Sequence, residues 1–358
     1  MNSNSFNRKD KAMHSLFVLL FLIGGIFFLK ATAAVFAPLV FAVMISFMLF
    51  PVMQKLERLH IPRVLAVTII MSVLAVILYI TFVILQNSFN LFMTDYPRYL
   101  NQFRDIYYDI TNKIMEKFQL QAAPDFFAGT DWNRVVQNYV ISLSSTFTKM
   151  AGYIFLIFIF MFFLFLEYPY LTKKIYKAFS FKEAKKFTII SARILKLVGR
   201  YFIVKTVISF FTGLEVYLVL TLLNVDFPLV WGGIAFVLNF VPTVGSSVVV
   251  ILIFIQGVVQ FYPNLFMPTL IFLLNLGIQQ LMGNFIEPRV QGSNLNLSPV
   301  LILISLAFMA WMWGAVGAVL AVPITVMLRV VFGYFDSTRF LSILMGTGYS
   351  KKSDVLKQ

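Results

Sequence analysis

Four amide side chains recur inside one apolar run of the chain, at Asn275, Gln279, Gln280 and Asn284. Their spacing places them roughly on one face of a helix. In hydrocarbon, a polar group without a partner costs several kcal/mol, so these side chains must face other helices or water. Amides donate and accept hydrogen bonds without carrying charge. The stripe therefore indicates either hydrogen bonding between helices or the lining of a transport path, and we favour the path.

Two apolar stretches flank this stripe, residues 227–261 and 298–332, and each is too long for one span of about 20 residues. Each contains proline and glycine, which interrupt the backbone ladder. Each is therefore either a re-entrant helical hairpin or one kinked, tilted helix. Their similar design hints at an internal repeat with the site at the tips. The predicted path residues in these breaks are Asn239, Pro242 and Gly245 in the first stretch and Gly314 and Gly317 in the second.

Charged side chains at membrane depth are expensive and commonly mark ion or proton pathways. Glu215 lies well inside an apolar run, and Glu287 and Arg289 lie in a Glu-Pro-Arg triplet after the amide stripe. These three are the candidates for ion or proton coupling. The alternative for Glu215 is a structural, neutral carboxyl paired with a neighbouring amide. The chain has no cysteine and two histidines without neighbouring ligands, so we expect no metal and no cofactor.

The composition predicts the class of fold that holds these residues in place. The chain has 358 residues, of which 60% are hydrophobic and 12% are charged, with a mean hydropathy of +0.86. A soluble domain has about 25% charged residues. The alternating segments of an outer-membrane barrel are absent. We predict an all-α, polytopic integral membrane protein with about eight membrane segments, including the two long broken ones.

The apolar runs and the polar stretches between them predict an order of segments along the chain. The segments are a cytoplasmic N-terminus (1–13), three transmembrane helices (14–86), a helical extracytoplasmic insert (87–149), a transmembrane helix (150–167), a basic amphipathic segment (168–200), a transport core (201–333) and a tail (334–358).

The distribution of charge predicts the orientation. Residues 168–205 carry ten basic side chains against one acidic, whereas the insert carries six of each sign. Under the positive-inside rule, the basic segment and both termini are cytoplasmic and the insert is outside. The basic segment is expected to lie on the anionic inner leaflet. Aromatic and aliphatic residues recur at helical spacing in the insert, and we expect them to form its own core or a protein contact.

Several motifs of the C-terminal half, taken in order, resemble the AI-2E family of bacterial transporters, which includes the PerM-type permeases. The matching elements are Arg200-Tyr201 with Lys205, Asn239-Phe240-x-Pro242-x-x-Gly245, Gln279-Gln280-x-x-x-Asn284, Pro288-Arg289-x-x-Gly292, Leu295-x-Leu297-x-Pro299 and Gly314-x-x-Gly317-x-x-Leu320-Ala321-Val322-Pro323. The resemblance implies a multi-pass bacterial inner-membrane protein that forms a homo-oligomer. Many members carry an acidic residue where this chain has Met282, so a coupling role for that position is in doubt.

Three functions follow from these features. The first is a permease that exports a small polar solute, such as autoinducer-2, by alternating access. The second, which the resemblance also implies, is sodium/proton antiport, although this half of the chain is poor in carboxylates. The third is an uncoupled channel or a membrane scaffold. The chain has no P-loop, HExxH or G-x-S-x-G motif, so an enzyme or a primary pump is not expected. Nucleic-acid binding is not expected either, because the basic side chains lie in the loops between apolar runs.

Overall fold

The computed structural model describes residues 3–119, 125–127, 129–242, 244–291 and 296–347. The helices are α1 (Ser3–Ala31), α2 (Ala33–Arg58), α3 (Arg63–Phe118), α4 (Trp132–Ala178), α5 (Phe181–Leu222), α6 (Pro228–Leu238), α7 (Val244–Phe261), α8 (Phe266–Gln280), α9 (Glu287–Gln291), α10 (Pro299–Tyr334) and α11 (Arg339–Leu344), with a π-helix at Leu281–Ile286 and a 3-10 turn at Asp336–Thr338. Over these ranges, seven helical segments are long and apolar enough to cross a membrane. The prediction of an all-α polytopic membrane protein is confirmed.

The chain divides into two compact units. One contains residues 1–50, 151–198 and 296–358, and the other contains residues 51–150 and 199–295. We call them the terminal unit and the cavity unit. The predicted insert and the amide stripe both belong to the cavity unit.

The insert consists largely of extensions of α3 and α4. Helix α3 has 56 residues, a length of about 84 Å, and continues through Pro97. Proline and glycine predict breaks in the insert at Ala123-Pro124 and at Gly129. Gly129, with φ of 78°, lies in the connection before α4, and Ala123-Pro124 lies outside the described residues. Phe127 is buried and stacks edge-on against Phe103 and Tyr107. The described part of the insert therefore has an aromatic core of its own.

The basic segment consists of the joined ends of α4 and α5. A two-residue connection at Phe179 and Ser180 separates the two helices. The Ser180 hydroxyl donates to Glu183 Oε2 at 2.7 Å, and the Ser180 backbone N–H donates to the same oxygen at 3.2 Å. This capping arrangement starts α5 and explains the one acidic residue among so many basic ones.

The first long apolar stretch folds back on itself as a helical hairpin made of α6 and α7, which we call hairpin 1. Two glutamines of α7 hold its open end. The Gln256 side chain donates to the carbonyl of Asp226 at 2.8 Å, and the Gln260 side chain donates to the carbonyl of Asn224 at 2.8 Å. Helix α6 has 11 residues, about 16 Å, so it is too short to cross a bilayer of about 30 Å.

The second long stretch, within α10, is also a hairpin, which we call hairpin 2. The backbone leaves helical geometry at Trp313 and at Gly314, whose φ is 62° and ψ is −141°. The Thr325 hydroxyl donates to the Ser305 hydroxyl at 2.9 Å, although 20 residues separate them. In a continuous helix, these side chains would be about 30 Å apart. The turn contacts the end of α1, where the Trp313 indole donates to the carbonyl of Leu29 at 3.1 Å.

One glycine in each hairpin lets its two arms pack closely. A Cβ on Gly245 would lie 1.8 Å from the carbonyl oxygen of Leu238, and a Cβ on Gly317 would lie 1.9 Å from that of Met309. Both contacts join the start of a second arm to the end of a first arm. The two hairpins therefore share a construction, in keeping with the hint of an internal repeat.

Hydrogen bonds within the cavity unit fix the orientation of hairpin 1 relative to the insert. Beside the start of hairpin 1, Tyr99 of α3 donates to Asp226, and just after its end Tyr262 donates to Asp109. At the tip, the Asn239 side chain donates to Ser209 of α5 at 3.0 Å. Ser209 precedes the end of α5 by 13 residues, or about 20 Å of helix. Both ends of hairpin 1 therefore lie on the side of the insert, and its tip lies about 20 Å away along α5.

We expect Gly245→Ala to lower the midpoint of thermal unfolding in detergent, because overpacking of this kind costs about 1–3 kcal/mol. Gly233→Ala in the same hairpin is the matched control, since a Cβ there meets no atom within 4 Å. If Gly245→Ala unfolds at the wild-type temperature, the close contact of the arms is not needed for stability.

Candidate functional site

A cavity of about 400 Å³ lies in the cavity unit beside the tip of hairpin 1. Its polar lining comes from three places: α5, the hairpin tip with the first turn of α7, and the stretch from the end of α8 to the first residue of α9. The lining residues with polar side chains are Lys205, Asn239, Ser246, Ser247, Gln279, Gln280, Asn284 and Glu287. The remaining wall is apolar and includes Val250, Ile251, Phe272 and Leu276.

The wall that carries the amides passes through the π-helix at Leu281–Ile286. Single π-turns within helices are rare and are frequently found at functional sites. Within this wall, the Asn284 side chain donates to the side-chain oxygen of Gln280. Gln279 faces the same cavity. The wall thus presents three amides that were predicted from their spacing.

The opposite wall is the turn of hairpin 1. Asn239 and Pro242 line the cavity there, and the hydroxyls of Ser246 and Ser247 follow in the first turn of α7. Asn239 is 7% exposed, and its bond to the fully buried Ser209 ties the hairpin tip to α5. The turn that breaks the apolar stretch is therefore the part of the hairpin that supplies polar groups to the cavity.

An ion pair lies at one end of the cavity. The Lys205 ammonium is 2.8 Å from each carboxylate oxygen of Glu287. The Lys205 side chain is 3% exposed, and that of Glu287 is 18% exposed. Each would be costly to bury alone, so the pairing allows both to lie within an apolar surrounding. The pair also leaves this end of the cavity without net charge.

The other predicted residues lie elsewhere. Asn275 is fully buried and donates to the carbonyl of Ile271 in its own helix at 2.8 Å, so it is not on the cavity wall. Gly245 closes hairpin 1 rather than lining the cavity. Arg289 is exposed. Among the described atoms, Glu215 Oε2 is buried without a hydrogen-bond partner.

Gly314 and Gly317 belong to the terminal unit, where Gly314 forms the turn of hairpin 2 and Gly317 allows its arms to meet.

Sequence reasoning did not select Lys205, Ser246 or Ser247 as site residues, although Lys205 carried part of the resemblance. The sequence did indicate Lys205, because a lysine in the interior of an apolar helix requires a carboxylate partner. Gln256 and Gln260 were also overlooked, and they hold the open end of hairpin 1.

The arrangement of hairpins, buried ion pair and amide-lined cavity can be compared with known proteins. Residues 16–336 match the sequence model of a protein family described as "AI-2E family transporter". A protein of Borreliella burgdorferi named "Putative transport protein" is 32% identical over 340 residues, which cover 95% of this chain and 91% of the relative. The chain belongs to the AI-2E transporter family. The AI-2 transport protein TqsA of Escherichia coli is 28% identical, covering 88% of this chain and 91% of TqsA.

Membership of the AI-2E family confirms several predictions. The chain is a multi-pass transporter or permease of the bacterial inner membrane. It is not an enzyme, because its family and its relatives are transporters. Its substrate is a small solute. YhhT of E. coli is also similar, at 27% identity over 95% of this chain and 96% of YhhT.

We expect removal of one member of the buried pair to destabilise the protein more than removal of both. Glu287→Gln leaves an almost fully buried ammonium and should lower the free energy of unfolding by about 3 kcal/mol. Lys205→Met should cost less, because Glu287 is the more exposed partner. The double variant should recover most of the loss, as measured by thermal unfolding in detergent.

The control for this comparison is Arg289→Gln, which removes an exposed charge close to the pair. Additive losses in the double variant would show that the two side chains do not stabilise each other.

Proposed function

We propose that the protein exports a small, uncharged, hydroxyl-rich solute, of which autoinducer-2 is an example, by alternating access. The observation that carries this proposal is the cavity at the tip of hairpin 1, where amides and hydroxyls converge beside a neutralised ion pair. In α-helical transporters, sites form where a broken helix brings polar backbone and side chains to membrane depth.

The chemistry of the lining favours a neutral solute with several hydroxyl groups. Each amide offers a carbonyl acceptor and two N–H donors, so a hydroxyl group can both donate and accept. An anion would need to compete with Glu287 for Lys205, and a cation would need to compete with Lys205 for Glu287. Both carboxylate oxygens of Glu287 are already within 2.8 Å of the ammonium. This arrangement supports a neutral solute over a charged one.

The relatives support the same class of solute. TqsA is named as an AI-2 transport protein, and the similarity to it spans most of both chains. The residues that would bind the solute here are Asn239, Gln279, Gln280 and Asn284, with Ser246 and Ser247 as additional donors and acceptors.

The proposed gates are the two hairpin turns, at Pro242 and Gly245 and at Gly314 and Gly317. Hairpin 1 supports this role because its turn is itself a wall of the cavity, whereas its open end is bonded to α3 and is closed by Gln256, which donates to the carbonyl of Asp226. Movement of the turn relative to α5 would open or close the cavity while the anchored end stayed in place. The bond between Asn239 and Ser209 would break in that movement.

We propose Glu215, Glu287 and Arg289 as the candidate residues that couple solute transport to an ion. Glu287 is paired with Lys205, and Arg289 is exposed. Glu215 has a buried oxygen that no described group bonds, which favours it as a proton carrier. Sodium/proton antiport would need an available carboxylate, and Glu287 does not offer one in this arrangement.

We also propose a homo-oligomer with cytoplasmic N- and C-termini and with the basic ends of α4 and α5 against an anionic inner leaflet. The concentration of basic side chains at those helix ends supports this orientation.

We expect Asn284→Leu to reduce export of autoinducer-2 from proteoliposomes at least tenfold. A site that hydrogen-bonds hydroxyl groups loses about 1.4 kcal/mol or more when one partner is removed. Gln86→Leu, an exposed amide in α3, is the matched control and should export at the wild-type rate. Wild-type export by Asn284→Leu would contradict the assignment of the cavity. A leak that is downhill and indifferent to ion gradients would instead favour the uncoupled channel.

The charge balance of the cavity leads to a second expectation. Glu287→Gln leaves the Lys205 ammonium unpaired, so the cavity should accept an anion in place of the lost carboxylate. Ribose 5-phosphate should therefore raise the thermal midpoint of Glu287→Gln but not that of the wild type, since ligands stabilise the state that binds them. Ribose is the uncharged control. Equal shifts in both proteins would show that the ion pair does not select against anions.

A further inference from the structure

A second cavity in the cavity unit, of about 650 Å³, has no part in the proposed transport site. It lies where the two arms of hairpin 1 meet the upper half of α3 and the described part of the insert. Its wall is almost entirely aromatic and aliphatic and includes Tyr99, Phe103, Phe127, Trp132, Phe227 and Trp231. Its volume falls within the range of about 300–1,000 Å³ that is usual for ligand pockets.

We infer from its place in the fold that this cavity lies near the boundary between hydrocarbon and headgroups. It lies at the open end of hairpin 1, where α5 ends and α8 begins, and it lies next to the insert. Tyrosine and tryptophan are enriched at this depth because they combine an apolar ring with a polar tip. The indole Nε1 of Trp132 is buried and has no hydrogen-bond acceptor among the described residues. The cavity thus has an apolar interior, and one residue of its wall carries an indole N–H that no described group accepts.

Charges of both signs border the aromatic wall. On one side, Arg98 lies 3.8 Å from Asp226, which also accepts from Tyr99. On the other side, the Arg104 guanidinium lies over the Phe127 ring at 5.3 Å, and the Tyr108 hydroxyl lies 3.1 Å from both oxygens of Asp125.

Arg104 and Asp125 both lie near Tyr108, so this side of the wall offers a cation for a phosphate and a carboxylate for an ammonium. It suits a headgroup that carries both charges.

We propose that this cavity binds one phospholipid with a zwitterionic headgroup that contains a primary ammonium, such as phosphatidylethanolamine. The acyl chain fills the aromatic interior, and burial of each methylene contributes about 0.8 kcal/mol. The phosphate lies against Arg104, and the ammonium donates to Asp125. Trp132 Nε1 donates to an ester oxygen. A quaternary ammonium cannot donate hydrogen bonds, so phosphatidylcholine is a poorer ligand.

A bound lipid would connect the insert to the transport core. One wall of the cavity is α3, and the other is formed by both arms of hairpin 1. An occupant contacts all three, and it supplements the bonds between Tyr99 and Asp226 and between Tyr262 and Asp109. The proposal does not depend on which solute is transported.

The test uses the tryptophans of the chain, which number four. Trp132 and Trp231 line this cavity, whereas Trp311 and Trp313 belong to the terminal unit. Purified Trp311→Phe/Trp313→Phe protein in detergent is titrated with phosphatidylethanolamine that carries brominated acyl chains, which quench nearby indoles. We expect saturable quenching, with half-saturation at about tenfold lower lipid than for brominated phosphatidylcholine, the equivalent of 1.4 kcal/mol.

Four variants provide the controls. Trp132→Phe/Trp231→Phe should show only weak, non-saturating quenching by either lipid. Asp125→Asn should abolish the preference between the lipids, and Arg104→Gln should weaken the binding of both lipids alike. Arg134→Gln, an exposed arginine of the same insert, should change neither. Equal quenching of both tryptophan pairs, or equal half-saturation for the two lipids, would overturn the proposal.

Native mass spectrometry of the unmodified chain gives a measurement that does not rely on the tryptophan variants. We expect one retained phosphatidylethanolamine per chain, which is lost in the cavity-filling variant Val259→Phe. Retention that is unchanged by Val259→Phe would place the lipid elsewhere and overturn the assignment.

Discussion

The structure depends on one constraint, namely that backbone polar groups freed inside a bilayer must find partners within the protein. In the turn of hairpin 1, backbone N–H groups are bonded within the turn: the Val241 N–H donates to the Leu238 carbonyl at 2.9 Å, and the Gly245 N–H donates to the Val241 carbonyl at 3.2 Å. Side chains then tie each turn to a neighbouring helix. Asn239 bonds to Ser209, and Trp313 bonds to the last turn of α1. The close packing at Gly245 and Gly317 brings the arms together so that these bonds can form. The polar cavity exists because hairpin 1 must deliver its turn to a polar partner.

Hairpin 1 also connects the two ends of the cavity unit. Its open end is bonded to α3 through Tyr99 and Tyr262 and is held by Gln256 and Gln260. Its turn lies about 20 Å away against α5 and the amide wall. The aromatic cavity borders the first region, and the polar cavity borders the second. A single short element therefore touches both sites, which gives a physical route by which occupancy of one could affect the other.

The sequence was sufficient to predict the helical membrane class, the two broken stretches and the four amides on the cavity wall. Those features depend on local hydropathy, on proline and glycine, and on helical spacing. It could not choose between a kinked helix and a hairpin, because that depends on contacts such as Trp231 to Gln256. The pair of Lys205 and Glu287 was missed for the same reason, since 82 residues separate its members.

Asn275 is a residue that the sequence assigned to the transport path but that the structure places away from the cavity wall. It shares the apolar run and the approximate spacing of the cavity amides, yet its side chain bonds to its own helix at Ile271. The extent of α3 and α4 was also underestimated, because hydropathy reports where lipid contact ends and not where the helix ends. Pro97 gave no reliable stop signal, and the helix continues through it.

Both ends of hairpin 1 return to the same side as the insert, and this has a consequence for how a permeation barrier can be built. A segment that enters and exits on one side can be withdrawn or reinserted as a plug without threading a chain terminus or a spanning helix through lipid. The displacement then needs only the breaking of a few side-chain bonds at the tip, while the lipid-facing spans remain in register. A barrier of this kind can be removable and yet leave the number and direction of the membrane crossings unchanged.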